Sequence, residues 1–131
     1  MFNNSNIKTK TQVTAEKLEV AKQSAIAQIN SERDTAIASG VDYDGHTYQS
    51  DSQSIADLGA ITTLSTLNSA IIVPWLTSGN ATVNLTATDI QTLAGLFATH
   101  KTTHVIAART KKDAVLAATT ITQINTILAG E

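Results

Sequence analysis

Two histidines four residues apart are the side chains of this sequence best suited to chemistry. His100 and His104 fall on successive turns of a predicted helix, the spacing at which two imidazoles reach one metal ion. Zinc needs three or four ligands, and Lys101 stands where zinc proteases carry their glutamate base. Since both histidines also lie close to the apolar stripe of that helix, we expect packed or partner-facing rings, and no metal or other cofactor. A metal-dependent or nucleic-acid-processing enzyme that uses His100 and His104 is the alternative.

Acidic residues around a glycine give a second candidate, a calcium loop. Asp42, Asp44 and Asp51 match part of such a loop when Gly45 takes its sixth position. The first ligand position would then be Gly40, and the last an aspartate in place of the usual glutamate. The pair Asp44-Gly45 is typical of a type I′ hairpin turn, which explains the same residues with fewer assumptions. We therefore predict no metal ligands and no catalytic residues here.

Nucleic acid and membrane are not expected as partners. The chain carries a net charge of -2, so no overall positive field attracts it to phosphates or anionic lipid. A basic cluster of Lys101, Arg109, Lys111 and Lys112 has no interleaved aromatic residues, and basic side chains near a helix C-terminus complement the helix dipole. No stretch approaches the roughly 20 apolar residues of a membrane span. Zero cysteines exclude thiolate chemistry.

The sequence predicts one domain, built mainly from helices, that positions these groups. It has 131 residues, of which 42% are hydrophobic, 15% charged and 4% aromatic. Polar residues 1–13 are predicted to be an attachment segment, and residues 14–131 a helical domain that contains hairpins. Thr14 is predicted to cap a helix over about 15–39, and Gly40 to end it in a left-handed conformation.

Two turns are predicted to insert small β-hairpins between the helices. A two-residue Asp44-Gly45 loop pairs Tyr43 with His46 and Val41 with Tyr48. The second hairpin enters a turn at 77–80 from an extended run that contains Pro74 and a core residue, Trp75. A capping box at 86–89 opens a helix to about residue 118, and a short amphipathic helix closes the chain. The predicted fold class is mostly α, with the long N-terminal helix lying alongside the third.

Short turn and helix-end motifs, spread over most of the chain, resemble those of a known protein family. They are Glu32-Arg33-Asp34, Gly40 to Tyr48, Asp51, Ser54-Ile55, Trp75, Val83 to Ala87, and Arg109 with Lys112 to Val115. Over about residues 18–128 the chain resembles a small helical domain of unknown function that recurs in bacteriophage tail-fibre and tail-fibre-assembly proteins. The resemblance implies a non-enzymatic virion or assembly protein that binds a tail-fibre or baseplate component. It would remain as a fibre accessory in the virion tail, or leave as a chaperone after assembly in the host cytoplasm.

The predicted partner-binding residues lie on the N-terminal segment and one face of the first helix. They are Phe2, Ile7, Leu18, Ala25 and Ile29. The narrow, alanine-rich stripe of this helix suits packing along a single seam. The same stripe supports a third hypothesis, a helical adaptor that self-associates as a homo-oligomer through this helix.

Overall fold

The computed structural model describes residues 7–130, which form four helices and two β-hairpins. In chain order the elements are α1 (Lys10–Ile37), β1 (Val41–Tyr43), β2 (His46–Tyr48), α2 (Ser52–Leu67), β3 (Ile72–Leu76), β4 (Thr82–Thr86), α3 (Ala87–Ala117) and α4 (Ile121–Leu128). The predicted fold class is confirmed: the protein is mostly helical, its first helix is long, and each hairpin is inserted between two helices.

Helix α1 begins at Lys10, so the prediction that Thr14 caps it is wrong. Thr9 and Gln12 form a capping box, in which the Gln12 N–H donates to Thr9 Oγ1 at 3.1 Å and the Thr9 N–H donates to Gln12 Oε1 at 2.8 Å. Thr14 lies inside the helix, where its hydroxyl donates to the Lys10 carbonyl oxygen. Residues 10–13, predicted to belong to the attachment segment, are therefore the first turn of α1.

The first hairpin has the predicted register. Tyr43 pairs with His46 and Val41 with Tyr48, across a turn in which Asp44 and Gly45 both have positive φ. Tyr48 and Val41 are buried, whereas His46, on the same face, is exposed. The turn chemistry thus fixes the strand pairing, and the buried pair Val41–Tyr48 lies two pairs beyond the Tyr43–His46 pair that closes the turn.

One face of the second hairpin packs on the core, and the other face is exposed. Val73 and Trp75 on β3 lie opposite Leu85 and Val83 on β4, and all four belong to or pack against the core. This confirms the prediction that Trp75 is a core residue. The alternate residues of both strands point outward and are exposed.

Contacts divide the chain into two compact units. The hairpin unit comprises Arg33–Ile106 and holds the two hairpins, α2 and the first part of α3. Its fully buried core side chains include Tyr48, Leu58, Leu85, Ile90, Leu93 and Phe97.

The helical unit comprises the chain up to Glu32 and from Ala107 onward. Its core side chains are Ala25, Ile29, Ala108, Val115, Ala118 and Ile124. Within it, Lys22 Nζ donates to the Leu116 carbonyl oxygen at 2.8 Å and Lys112 Nζ donates to Asn30 Oδ1 at 3.0 Å. These contacts put α1 and α3 side by side in this unit, as predicted, and show that the two helices run antiparallel. Within residues 7–130, no helix is long and apolar enough to cross a membrane.

Candidate partner-binding site

The two histidines stabilise a helix end in the hairpin unit. His100 Nε2 lies 3.1 Å from the carbonyl oxygen of Ala36 and 3.0 Å from that of Ile37. A carbonyl oxygen only accepts, so Nε2 carries the proton and donates. The last carbonyls of a helix have no partner within the helix, and Ser50 Oγ supplies a second donor to Ile37 at 2.5 Å. His104 contacts His100 edge to face, with ring centroids 4.7 Å apart.

This geometry gives His100 a structural role that metal coordination through Nε2 would disrupt. Its Nε2 is already directed at backbone carbonyls, which a coordinated imidazole could not maintain through the same nitrogen. Among the residues that the structure describes, no three histidine or acidic side chains converge as a metal site requires. The sequence could not have given this role to His100, because the bonded carbonyls are 63 and 64 residues away.

The acidic residues of the calcium hypothesis have separate structural roles. Asp42 accepts a hydrogen bond from Thr47 Oγ1 across the first hairpin. Asp51 is the N-cap residue of α2 and accepts from Ser54 Oγ, a bond that lowers the pKa of the Asp51 carboxyl. Asp44 supplies one of the two positive φ angles of the turn. Each carboxylate thus fits the local geometry of a strand pair, a helix cap or a turn.

The predicted capping box of α3 is present and gains a partner from the first hairpin. Asp89 Oδ2 accepts from the Thr86 N–H and hydroxyl, both at 3.0 Å, and the Asp89 N–H donates to Thr86 Oγ1 at 3.2 Å. Tyr43 Oη donates to Asp89 Oδ1 at 2.8 Å. The Thr86 backbone bond, followed by the Tyr43 bond, lowers the pKa of Asp89, and the bond to Asp89 raises the pKa of Tyr43.

An open cleft of the hairpin unit collects charged side chains of both signs. It has a volume of about 700 Å³ and is lined by Arg33, Asp34, Asp51 and Lys101, with Ile55 among its apolar residues. Arg33 and Asp34 form an ion pair at 2.9 Å. The lining therefore has no excess of either charge.

The predicted partner residues have different environments. Phe2 lies outside the described residues. Ile7 is 68% exposed, and Leu18 is half-buried beside the core of the helical unit. Ala25 and Ile29 are each 2% exposed, because α3 and α4 residues of the same unit cover them. The structure therefore leaves Ile7 and part of Leu18 accessible to a partner, and uses Ala25 and Ile29 within the chain.

A groove beside the start of α1 is the feature of the helical unit best suited to a partner. This N-terminal groove has a volume of about 580 Å³ and lies between the first turns of α1 and the connection from α3 to α4. Its apolar lining includes Ala15, Leu18 and Ile121, and Lys10 and Lys17 also line it. Sequence reasoning found Leu18 but not Ile121, because only the fold brings the start of α4 to α1.

The chain belongs to the family described as Domain of unknown function (DUF4376), whose profile matches residues 20–128. The resemblance to a small domain of unknown function is thereby confirmed, with closely similar limits. No curated protein and no solved structure matches the chain. The family description names no activity, and the association with phage tails stays a prediction.

Proposed function

We propose that this chain is a non-enzymatic bacteriophage tail protein that binds a tail-fibre or baseplate component. It acts as a fibre accessory in the virion tail, or as an assembly chaperone in the host cytoplasm. The motif resemblance supports the phage context. The N-terminal groove supports the binding role, and it is the single observation that carries the proposal, because it adjoins the segment predicted to make the contact.

The lining of the groove indicates the chemistry of its partner. Ala15, Leu18 and Ile121 offer an apolar floor, and Ile121 is 43% exposed in the unbound chain. Burying such surface stabilises a complex by roughly 25 cal/mol per Å² of apolar area. Lys10 and Lys17 add positive charge, and none of the described residues that line the groove is acidic. A segment of the fibre or baseplate protein with apolar side chains flanked by carboxylates would fit both features.

The hydrogen bonds of His100 argue against its Nε2 as a general base. His100 donates to the end of α1, and its ring contacts that of His104 edge to face. A general base needs a ring nitrogen within hydrogen-bond reach of a substrate proton. His100 Nε2 is instead within reach of two carbonyl oxygens of its own chain.

Co-purification with the fibre protein encoded beside this chain tests the proposal. The tagged chain should capture that protein, and Ala15→Glu should weaken capture about tenfold or more, because the new carboxylate occupies the apolar floor. Ala27→Glu is the matched control: Ala27 is also exposed on α1 but does not line the groove.

The possible results separate the function from the site. Failure of the unmodified chain to capture fibre or baseplate protein would overturn the proposed function. Equal capture by both variants would refute the groove as the site while leaving the function in place. Stoichiometric zinc or calcium in the purified protein, together with turnover of a substrate, would support the enzyme alternative instead.

A further inference from the structure

The outward face of the second hairpin is apolar along one strand and polar but uncharged along the other. On β3, Ile72 is 64% exposed, Leu76 is 56% exposed, and Pro74 between them is also exposed. Their cross-strand partners are Thr86, Asn84 and Thr82. All six residues are exposed, whereas the alternate residues of both strands face the core.

This face belongs to a long uncharged part of the sequence. Residues 58–88 contain no aspartate, glutamate, lysine, arginine or histidine. Charged residues are depleted at the centre of protein–protein interfaces, because each one buried there needs an opposite charge. A charged partner surface would find no counter-charge among these residues.

The outward residues of the two strands are arranged almost symmetrically about the Pro74–Asn84 pair, with an aliphatic residue on each side of Pro74 and a threonine on each side of Asn84. Ile72 and Leu76 flank Pro74 at equal distance, and Thr86 and Thr82 flank Asn84 in the same way. Consider a two-fold axis that lies in the plane of the interface, perpendicular to the strands, and passes over the Pro74–Asn84 pair. This axis places each strand opposite the same strand of the second copy, which runs in the reverse direction. The apolar row then covers an apolar row, and the threonine row covers a threonine row.

We propose that this hairpin face is a homodimer interface, in which a second copy of the chain packs its β3–β4 hairpin face to face across that axis. Ile72 of each copy contacts Leu76 of the other, and the Asn84 side chains meet near the axis. Symmetric dimers use one patch twice, so the patch must complement itself. An uncharged surface with this internal symmetry meets that requirement without repulsion between like charges.

The proposed dimer is weak, because the interface is small. Six outward residues per copy are well below the 20–30 residues per side of a standard interface. We expect dissociation in the micromolar to millimolar range, so sedimentation velocity over that concentration range is the appropriate measurement.

Two charge variants at the same positions test the predicted pairing. In Ile72→Lys/Leu76→Lys, each introduced lysine faces a lysine of the other copy, and dimerisation should weaken by about 100-fold or more. In Ile72→Lys/Leu76→Glu, lysine faces glutamate at both contacts, so the dimer should persist and weaken as salt is added. The two positions lie about 13 Å apart along one strand, too far to pair within a copy.

Circular dichroism and Trp75 fluorescence verify that both variants remain folded, since Trp75 lies on the opposite face of the same hairpin. A monomeric wild type at millimolar concentration would overturn the proposal. A dimer that both variants leave intact would place the interface elsewhere. Loss of the dimer in both folded variants would refute the Ile72–Leu76 pairing, and with it this two-fold arrangement.

Discussion

Removing the Asp89 carboxylate is expected to destabilise the hairpin unit at both of its contacts. Asp89 closes the capping box of α3 with Thr86 and accepts the Tyr43 hydroxyl from the first hairpin. Asp89→Ala removes the carboxylate half of the capping box and leaves the Tyr43 hydroxyl without its acceptor. Asp89→Asn keeps the shape and removes the charge that complements the positive end of the helix dipole.

The expected magnitude follows from the hydrogen bonds that are lost. A side-chain cap contributes about 1 kcal/mol, and a hydrogen bond to a charged group about 1.5–3 kcal/mol, less where solvent reaches it. We therefore expect Asp89→Ala to lower the free energy of unfolding by about 2 kcal/mol, and Asp89→Asn to lower it by less. In a Tyr43→Phe background the Asp89→Ala loss should be smaller, because the shared bond is already absent.

Urea unfolding followed by Trp75 fluorescence reports on this unit, since the chain has a single tryptophan and its ring packs against the same core. Asp57→Asn is the control: Asp57 is exposed on α2 and accepts a local bond from Gln53, one helical turn away. Its effect should stay within about 0.5 kcal/mol.

The same experiment has a defined pH dependence. Because folding lowers the pKa of Asp89, its contribution is present above the unfolded value of about 4 and is lost as the pH falls through the folded pKa. The difference between wild type and Asp89→Asn should therefore shrink below about pH 4. A difference that is constant with pH, or equal Asp89→Ala losses with and without the Tyr43 hydroxyl, would refute the reasoning.

Two further substitutions test the roles of His100 at the end of α1 and of Gly40 between α1 and β1. His100→Ala should cost about 1 kcal/mol because the carbonyls of Ala36 and Ile37 each lose one donor, while the Ser39 and Ser50 hydroxyls still donate to them; His104→Ala should cost less, and zinc-dependent stabilisation that either change abolishes would contradict this role. Gly40→Ala should cost more than about 1 kcal/mol in urea denaturation, since φ is +107° and a Cβ would lie 2.9 Å from Thr47 Cγ2. Gly59→Ala, where a Cβ meets nothing within 4 Å, should be neutral or stabilising, and equal losses would exclude steric crowding as the cause.

Much of the secondary structure could be predicted because its signals are local. The Asp44-Gly45 turn set the register of the first hairpin, and the Thr86–Asp89 box marked the start of α3. The start of α1 was missed although its signal is equally local. Thr9 and Gln12 have capping-box spacing, but the polar composition around them favoured a tail.

The roles of the candidate site residues depended more on distant parts of the chain. Helical periodicity put Ala25 and Ile29 on one apolar face but could not tell whether a partner or this chain covers it; α3 and α4 cover both residues. The N-terminal groove was equally hidden, because Ile121 joins Leu18 only after folding.

By itself, the sequence determined where helices and strands occur, since capping boxes, turn glycines and apolar periodicity act over a few residues. Only the tertiary structure decided what the reactive side chains do. The Tyr43–Asp89 bond spans 46 residues and the bonds from His100 span 63 and 64, and nothing in the local pattern encodes either. The physical reason is that a donor bonds to an acceptor that the packing of the chain brings within about 3 Å of it. That packing is determined by the burial of apolar side chains in the core.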